Sequence, residues 1–320
     1  MKNQVLVVLG MHRSGTSLLT GLLSEAGVSV GKRLYAPQIG VNEKGFWEHE
    51  DIVDLHDELL LHLYSQWDDI LPLPEFWWKH ANVAKFKSKL IGYVNRDFVT
   101  SKVWAIKDPR MCRLLPLWLE IFSDLNVSPV FVCLNRKPSE VVASLKKRDG
   151  FSEEKALVLW LNHTLNAEQF SRNKNRVFLD FDTVAESPET ALYKIDKLIE
   201  GGFPLSLSDV KEKLNDFVSP SLRHHNSANN SMLSGCLGLL AERLYKELSS
   251  GKDVDTSLID TISSEFDNYQ KTWSTELLEQ VRYLNAERAD YRIKFFQIYR
   301  SLSWLLIKPL WYLERWLRNY

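Results

Sequence analysis

Gly10-Met-His-Arg-Ser-Gly-Thr-Ser17 places a guanidinium, three hydroxyls and two glycines between an apolar run and an amphipathic one. A turn of this kind between a strand and a helix can aim successive backbone N–H groups at an anion, and the helix dipole adds to the attraction. The spacing is that of the triphosphate loop GxxxxGK[ST], but Thr16 stands where the lysine for the β- and γ-phosphates belongs, which disfavours a triphosphate. Arg13 can supply charge instead, with Ser14, Gly15, Thr16 and Ser17 as backbone and hydroxyl donors; the alternative is a tight turn whose polar residues cap the helix. A second anion group lies in Leu134-Asn-Arg-Lys-Pro-Ser139, where a strand ends and Pro138 opens a helix. Arg136 then falls at the carboxyl edge of the sheet, and Ser144 follows about two helical turns later.

Lys107 closes another apolar run, so it and Arg13 follow strand ends that converge on one crevice, where both can neutralise a leaving group. Glu48 is the favoured general base. Positions 48, 52, 55 and 59 share a helical face that otherwise carries Ile52, Leu55 and Leu59, which should turn the carboxylate inward. A first-turn glutamate that complements the helix dipole is the competing reading. His12, His49 and Asp108 are reserve bases. Against those roles, His12 can simply shape the loop, His49 can be a half-exposed neighbour, and Asp108 can pair with Arg110 to brace the strand end. His224 and His225 are adjacent in a loop without further ligands at metal spacing, so no metal is expected.

These groups need a scaffold. The chain has 320 residues, 45% hydrophobic and 25% charged, which excludes disorder and collagen and suits one large or two ordinary domains. With 40 Lys+Arg against 41 Asp+Glu there is no global field to attract nucleic acid, so an anion site must be built locally. Cys112, Cys133 and Cys236 are too few and too scattered for a disulfide framework or zinc ribbon, and no apolar run reaches the length of a membrane span. The sequons at Asn126, Asn162 and Asn229 read as chance occurrences.

Val5–Leu9, Val103–Ile106, Val130–Leu134 and Val177–Phe181 read as buried strands alternating with helical stripes, such as Leu18, Leu19, Leu22, Leu23 and Ala26 closed by Gly27, and Ile52, Leu55, Leu59 and Leu63. The expected fold is α/β, a parallel sheet covered by helices over residues 1–250. A loop-like interval spans Ser219–Ser234, and a helix is expected over Leu237–Leu248. Residues 251–320 read as a helical extension in which Leu277, Val281, Leu284, Tyr291, Phe295, Ile298 and Leu302 recur at alternating three- and four-residue steps, with Arg288 in one seam position.

Arg13-Ser-Gly-Thr-Ser17, the Arg136 and Ser144 pair, Lys107-Asp-Pro-Arg110, Phe181 with the Thr183–Pro188 turn, and Ser221-Leu-Arg-His-His225 together resemble the sulfotransferase family that uses 3'-phosphoadenosine 5'-phosphosulfate (PAPS), particularly its bacterial members. The likeness covers roughly residues 4 to 249. It implies a P-loop-like fold in which the first loop holds the 5'-phosphosulfate while Arg136 and Ser144 hold the 3'-phosphate. The animal cytosolic enzymes carry a catalytic His shortly after the lysine that Lys107 resembles, whereas Asp108 and Pro109 stand here, so that base does not transfer. Their C-terminal glycine-rich nucleotide loop is also missing, which makes Arg223 the candidate for a second grip on the 3'-phosphate. Nor does the chain carry the N-terminal membrane anchor of the Golgi relatives.

The sequence thus points to a PAPS-dependent sulfotransferase acting on a hydroxyl of a carbohydrate, cell-surface glycan precursor or lipid-linked saccharide. A nucleotide kinase-like P-loop enzyme and a non-catalytic nucleotide-binding membrane adaptor are the alternatives. The expected place is the cytoplasm, with attachment to the inner face of an anionic membrane through residues 301–320. From Tyr291 to Tyr320 six basic residues face one acidic, and Trp304, Trp311 and Trp316 join Leu305, Leu306, Leu310, Leu313 and Leu317, while Lys308, Glu314, Arg315 and Arg318 gather on one narrow face. Pro309 should bend or restart that helix. The other reading packs this face on the catalytic domain, or makes a homodimer through the Leu277–Leu302 seam.

Overall fold

The computed structural model describes residues 3–37, 45–218, 233–251 and 253–299. Four strands, β1 (Gln4–Leu9), β2 (Val103–Lys107), β3 (Ser128–Asn135) and β4 (Arg176–Asp180), form one parallel sheet in the order β2-β1-β3-β4. The central strand β1 is buried at all six positions, as expected of a parallel strand covered on both faces. Val5, Val7 and Leu9 face a layer built from α2 (Glu50–His62), α3 (Ala84–Phe98) and α4 (Met111–Asp124). Leu6 and Val8 face α1 (Thr16–Glu25) and a group formed by α7 (Phe181–Glu186), α8 (Pro188–Asp196) and α9 (Leu207–Phe217). A third apolar layer joins α5 (Pro138–Asp149), α6 (Glu153–Ser171), α10 (Gly235–Leu248) and α11 (Thr256–Lys271).

Register brings the strand ends level. Val8 pairs with Lys107, Leu9 with Cys133 and Asn135 with Asp180, so the segments that follow β1, β2 and β3 emerge along one edge of the sheet. The chain leaves β1 towards β2 and leaves β3 towards β4, and a crevice opens between β1 and β3 where those directions diverge.

Two expectations need correction. Glu48 is not on the face of α2, which starts at Glu50 with His49 as its N-cap. Tyr35 N donates to the Glu48 carbonyl (3.0 Å) and Glu50 N to the Arg33 carbonyl (2.8 Å), so this stretch pairs as extended backbone, and Trp47 sits in the left-handed region (φ 56°). Phe181 does not end β4 but opens α7, because the Asp180 side chain accepts from Asp182 N (2.9 Å) and caps the helix. The long extension helix is α12 (Thr275–Tyr299), which lies against α2. Arg223, His224, His225, Asn229 and the tail from residue 300 fall outside the described residues.

Polar groups also fix the packing. Arg113 is buried and donates to the carbonyls of Gln66 (2.8 Å) and Leu71 (3.0 Å), lashing the segment after α2 to α4. Nearby, His163 on α6 has no exposed surface; its Nδ1 lies 2.8 Å from the Leu159 carbonyl, and burial first, then the charge of Arg113, pushes its pKa down to about 3. The folded protein therefore keeps His163 neutral while the unfolded chain protonates it below about 6.5. Stability should fall as pH drops from about 6.5 towards 3, by up to about 1.4 kcal/mol per pH unit from this residue. In His163→Leu, urea unfolding at neutral pH and near pH 4 should give a smaller stability difference than in the parent; an equal difference would place the acid sensitivity elsewhere.

Candidate functional site

The loop after β1 is pressed between neighbouring elements. A Cβ on Gly10 would lie 2.8 Å from the Leu134 carbonyl oxygen, and one on Gly15 would lie 2.3 Å from the Phe181 ring. Gly15 also takes φ 89°, a conformation that glycine adopts without strain, and Ser14 N closes the turn on the Met11 carbonyl (3.1 Å). The N–H groups that follow belong to the first turn of α1, which has no intrahelical acceptors for them. Ser14 and Thr16 are buried, while Ser17 is half-buried.

Arg13, Ser144 and Arg136 meet here. Arg13 Nε donates to Ser144 Oγ (2.8 Å), and Arg136 Nη1 donates to the Arg13 carbonyl (3.0 Å). Arg136 also donates through Nε to Glu140 (2.8 Å) and stands 4.1 Å over the Phe181 ring, whose edge fills the space left by Gly15. A third cation, Arg148, lies one helical turn beyond Ser144 and over the Trp67 ring (5.3 Å). Burial first, then the charges of Arg148 and Arg136, hold the Arg13 guanidinium below its ordinary pKa. Positive charge is thus concentrated at one point of a chain that is neutral overall, as an anion site requires.

The second half of the site centres on Lys107. Its ammonium donates to Ser17 Oγ (3.0 Å), the Phe46 carbonyl (3.0 Å) and Glu48 Oε1 (2.5 Å), which satisfies its three donors. Lys107 is 2% exposed and Glu48 12%, so this ion pair sits at the inner end of the crevice, with the second Glu48 oxygen left for another partner.

The reserve bases fare differently. Asp108 is fully buried: its Oδ2 faces His56 Nδ1 (2.7 Å), and its Oδ1 accepts from the N (2.9 Å) and Nη1 (3.0 Å) of Arg110. Burial pushes its pKa up, but Arg110 and His56 outweigh that and hold it well below the carboxylate range, so Asp108 braces the strand end. Trp118 Nε1 donates to His56 Nε2 (2.8 Å), leaving the ring proton of His56 on Nδ1, pointed at Asp108. Arg110 in turn grips Asp57 through Nε (2.6 Å) and Nη2 (3.1 Å).

His49 is buried, not half-exposed, because the pairing of residues 33–35 covers it; its Nε2 lies 2.8 Å from Asp97. Among the described residues, His49, Asp51 and Asp97 are close enough to share a metal ion, but Arg96 already donates to both carboxylates. His12 has a buried Nε2 without a hydrogen-bond partner, its ring lies 4.5 Å from that of Trp67, and burial and then Arg110 push its pKa well down. Sequence reasoning missed Arg148, although its place four residues after Ser144 on a helix was readable. It also missed His56, whose place among Ile52, Leu55 and Leu59 looked purely apolar.

No family model matches the sequence, and no curated protein matches it. Among solved structures, the sulfotransferase domain of the Synechococcus PCC 7002 olefin synthase aligns at 13% identity, covering 82% of this chain and 95% of that one, with a TM-score of 0.42. Sulfotransferase STF9 from Mycobacterium avium aligns at 14% identity over 86% of this chain and 78% of that one, also at 0.42. The sulfotransferase domain from the curacin biosynthetic pathway aligns at 12% identity over 83% and 98%, at 0.37. What the chain is similar to, at these low identities, is a set of bacterial sulfotransferase domains.

Proposed function

We propose that the protein is a sulfotransferase that moves a sulfuryl group from PAPS to a hydroxyl acceptor. The observation that carries this reading is the meeting of Arg13, Ser144 and Arg136 at the β1/β3 crevice, above the first turn of α1. The donor set suits a ligand with two separate anionic groups. The loop N–H groups and Arg13 would hold the 5'-phosphosulfate, and Arg136 with Ser144 the 3'-phosphate. When bound, PAPS supplies an activated sulfuryl group attached to a phosphate leaving group. Arg13 neutralises the charge that grows on that phosphate, with Lys107 as the second cation of the crevice. Glu48 takes the acceptor's proton at Oε2, since Oε1 is held by Lys107, as the acceptor oxygen bonds to sulfur and the bond from sulfur to phosphate oxygen breaks. A nucleotide kinase reading is disfavoured by Thr16 in the P-loop lysine position. A non-catalytic adaptor would keep the anion cluster but has no need of the Lys107–Glu48 pair.

The acceptor proposed is a carbohydrate hydroxyl, on a glycan precursor or lipid-linked saccharide. Support for that class comes from the resemblance and from the basic, aromatic-rich sequence of residues 301–320, which suits a cytoplasmic enzyme resting on an anionic membrane.

Three outcomes test these assignments. Calorimetry should show adenosine 3',5'-bisphosphate binding far more tightly than ATP, and Arg136→Ala should weaken the bisphosphate by about 1.5–3 kcal/mol; equal affinity for the two nucleotides would sink the assignment. Glu48→Gln should lower turnover of PAPS roughly 10²–10⁴-fold while bisphosphate affinity is kept. Near-normal single-turnover transfer by that variant would make Glu48 structural. Deleting residues 301–320 should leave a folded enzyme that no longer sediments with vesicles containing phosphatidylglycerol, whereas continued sedimentation would rule out the tail as the anchor.

A further inference from the structure

Helix α12 carries a seam that the catalytic site does not use. Leu277, Val281, Leu284, Arg288 and Tyr291 follow one another at alternating steps of four and three, and the same steps continue in the sequence through Phe295 and Ile298. This is a strict 3.5-residue repeat over a helix of 25 residues. Leu277, Leu284 and Tyr291 are 61%, 50% and 64% exposed, although such apolar side chains on a helix face usually have a partner. The helix is in contact with α2, and Ala289, on another side of it from the seam, is 1% exposed. At 3.6 residues per turn that side lies about a third of the way round from the seam, which leaves room for a further helix beside it.

Charge selects the occupant. Between Thr275 and Asp290 there are four acidic residues (Glu276, Glu279, Glu287, Asp290) and two basic ones (Arg282, Arg288), which disfavours an anionic bilayer along this part of the helix. In heptad terms Leu277, Leu284 and Tyr291 occupy d, Val281 and Arg288 occupy a, Glu287 occupies g and Arg292 the following e. In a parallel pair the g position of one helix meets the next e position of the other, so Glu287 would face the partner's Arg292, and the reverse pair forms by symmetry. Arg288, at a single a position, has Glu287 of the opposite helix beside it and acts as a register-setting polar residue. The seam is therefore complementary to itself.

We propose that α12 forms a parallel, two-stranded coiled coil with the same helix of a second copy of this chain, making the protein a homodimer independently of what the crevice binds. The full chain, without detergent or vesicles, should show twice the monomer mass by light scattering across a dilution series. Leu284→Glu should convert it to a monomer with unchanged circular dichroism. Glu287→Lys and Arg292→Glu should each weaken the dimer roughly three- to tenfold, two exposed ion pairs being lost, and the double variant should recover to a tighter dimer than Glu287→Lys alone because the pair is rebuilt with reversed sign, short of the parent because Arg288 keeps a like-charged neighbour. Arg288→Leu should tighten the dimer. A monomer at every dilution, a dimer that survives Leu284→Glu, failure of the double variant to recover, or association that appears only once anionic vesicles are added would each overturn the proposal.

Discussion

A carboxylate with no exposed surface, just past the end of β2, has to be neutralised inside the protein, and Asp108 imposes that demand on its surroundings. His56 from α2 satisfies one oxygen and Arg110 the other, while Trp118 from α4 fixes the ring of His56 from behind. Two helices, α2 and α4, are thereby tied to the carboxyl end of β2. Lys107 is the preceding residue, so its ammonium is aimed into the crevice from a backbone that cannot drift, and the Glu48 and Ser17 contacts follow from that fixed point. Removing Arg110 would leave the buried carboxylate without its charge partner, which typically costs about 3–5 kcal/mol. The arrangement is thus a positional device more than a source of net stability.

On the other side of the crevice the balance runs the opposite way. Arg13, Arg136 and Arg148 are three like charges, and among the described residues the carboxylates that pair with any of them directly are Glu140 and Asp149. Burial and its neighbours already lower the proton affinity of Arg13, as expected where positive potential builds up on one side of the crevice. An anion entering it relieves a repulsion as well as forming new hydrogen bonds. The two halves of the site therefore have different logic: the Lys107 side is charge-paired and preorganised, and the Arg13 side is held in readiness for charge brought from outside.

Much of this was legible in the sequence, for identifiable reasons. Buried parallel strands are nearly continuous apolar runs, so β1 to β4 could be read to within a few residues, and the glycine and hydroxyl pattern of residues 10–17 marked the loop. The eight-residue interval between Arg136 and Ser144 placed both near one helix start, where they now meet Arg13. Glu48 was chosen on a helical pattern that does not extend to it; it reaches Lys107 from a stretch in which residues 48–50 pair with 33–35, a non-local event that no local periodicity encodes. Asp108 was read as the partner of Arg110, which it is, but His56 and Trp118 were hidden for the same reason as the Glu48 contact, since their meaning arises only when α2, β2 and α4 are brought together. Arg223 and the basic tail fall outside the described residues and stay readings of the sequence.

The Phe181 ring lies against Gly15 on one side and under Arg136 on another. It opens α7 directly after β4, an edge strand and the last of the four to be synthesised, whereas Gly15 lies in the loop after β1. The packing of the glycine loop is thus completed by a contact between residues far apart in sequence, and closing such a loop is slow. A ribosome must have released the chain through Phe181 before that contact could form. Shortened products lacking β4 would keep the glycine motif without the ring that packs against it.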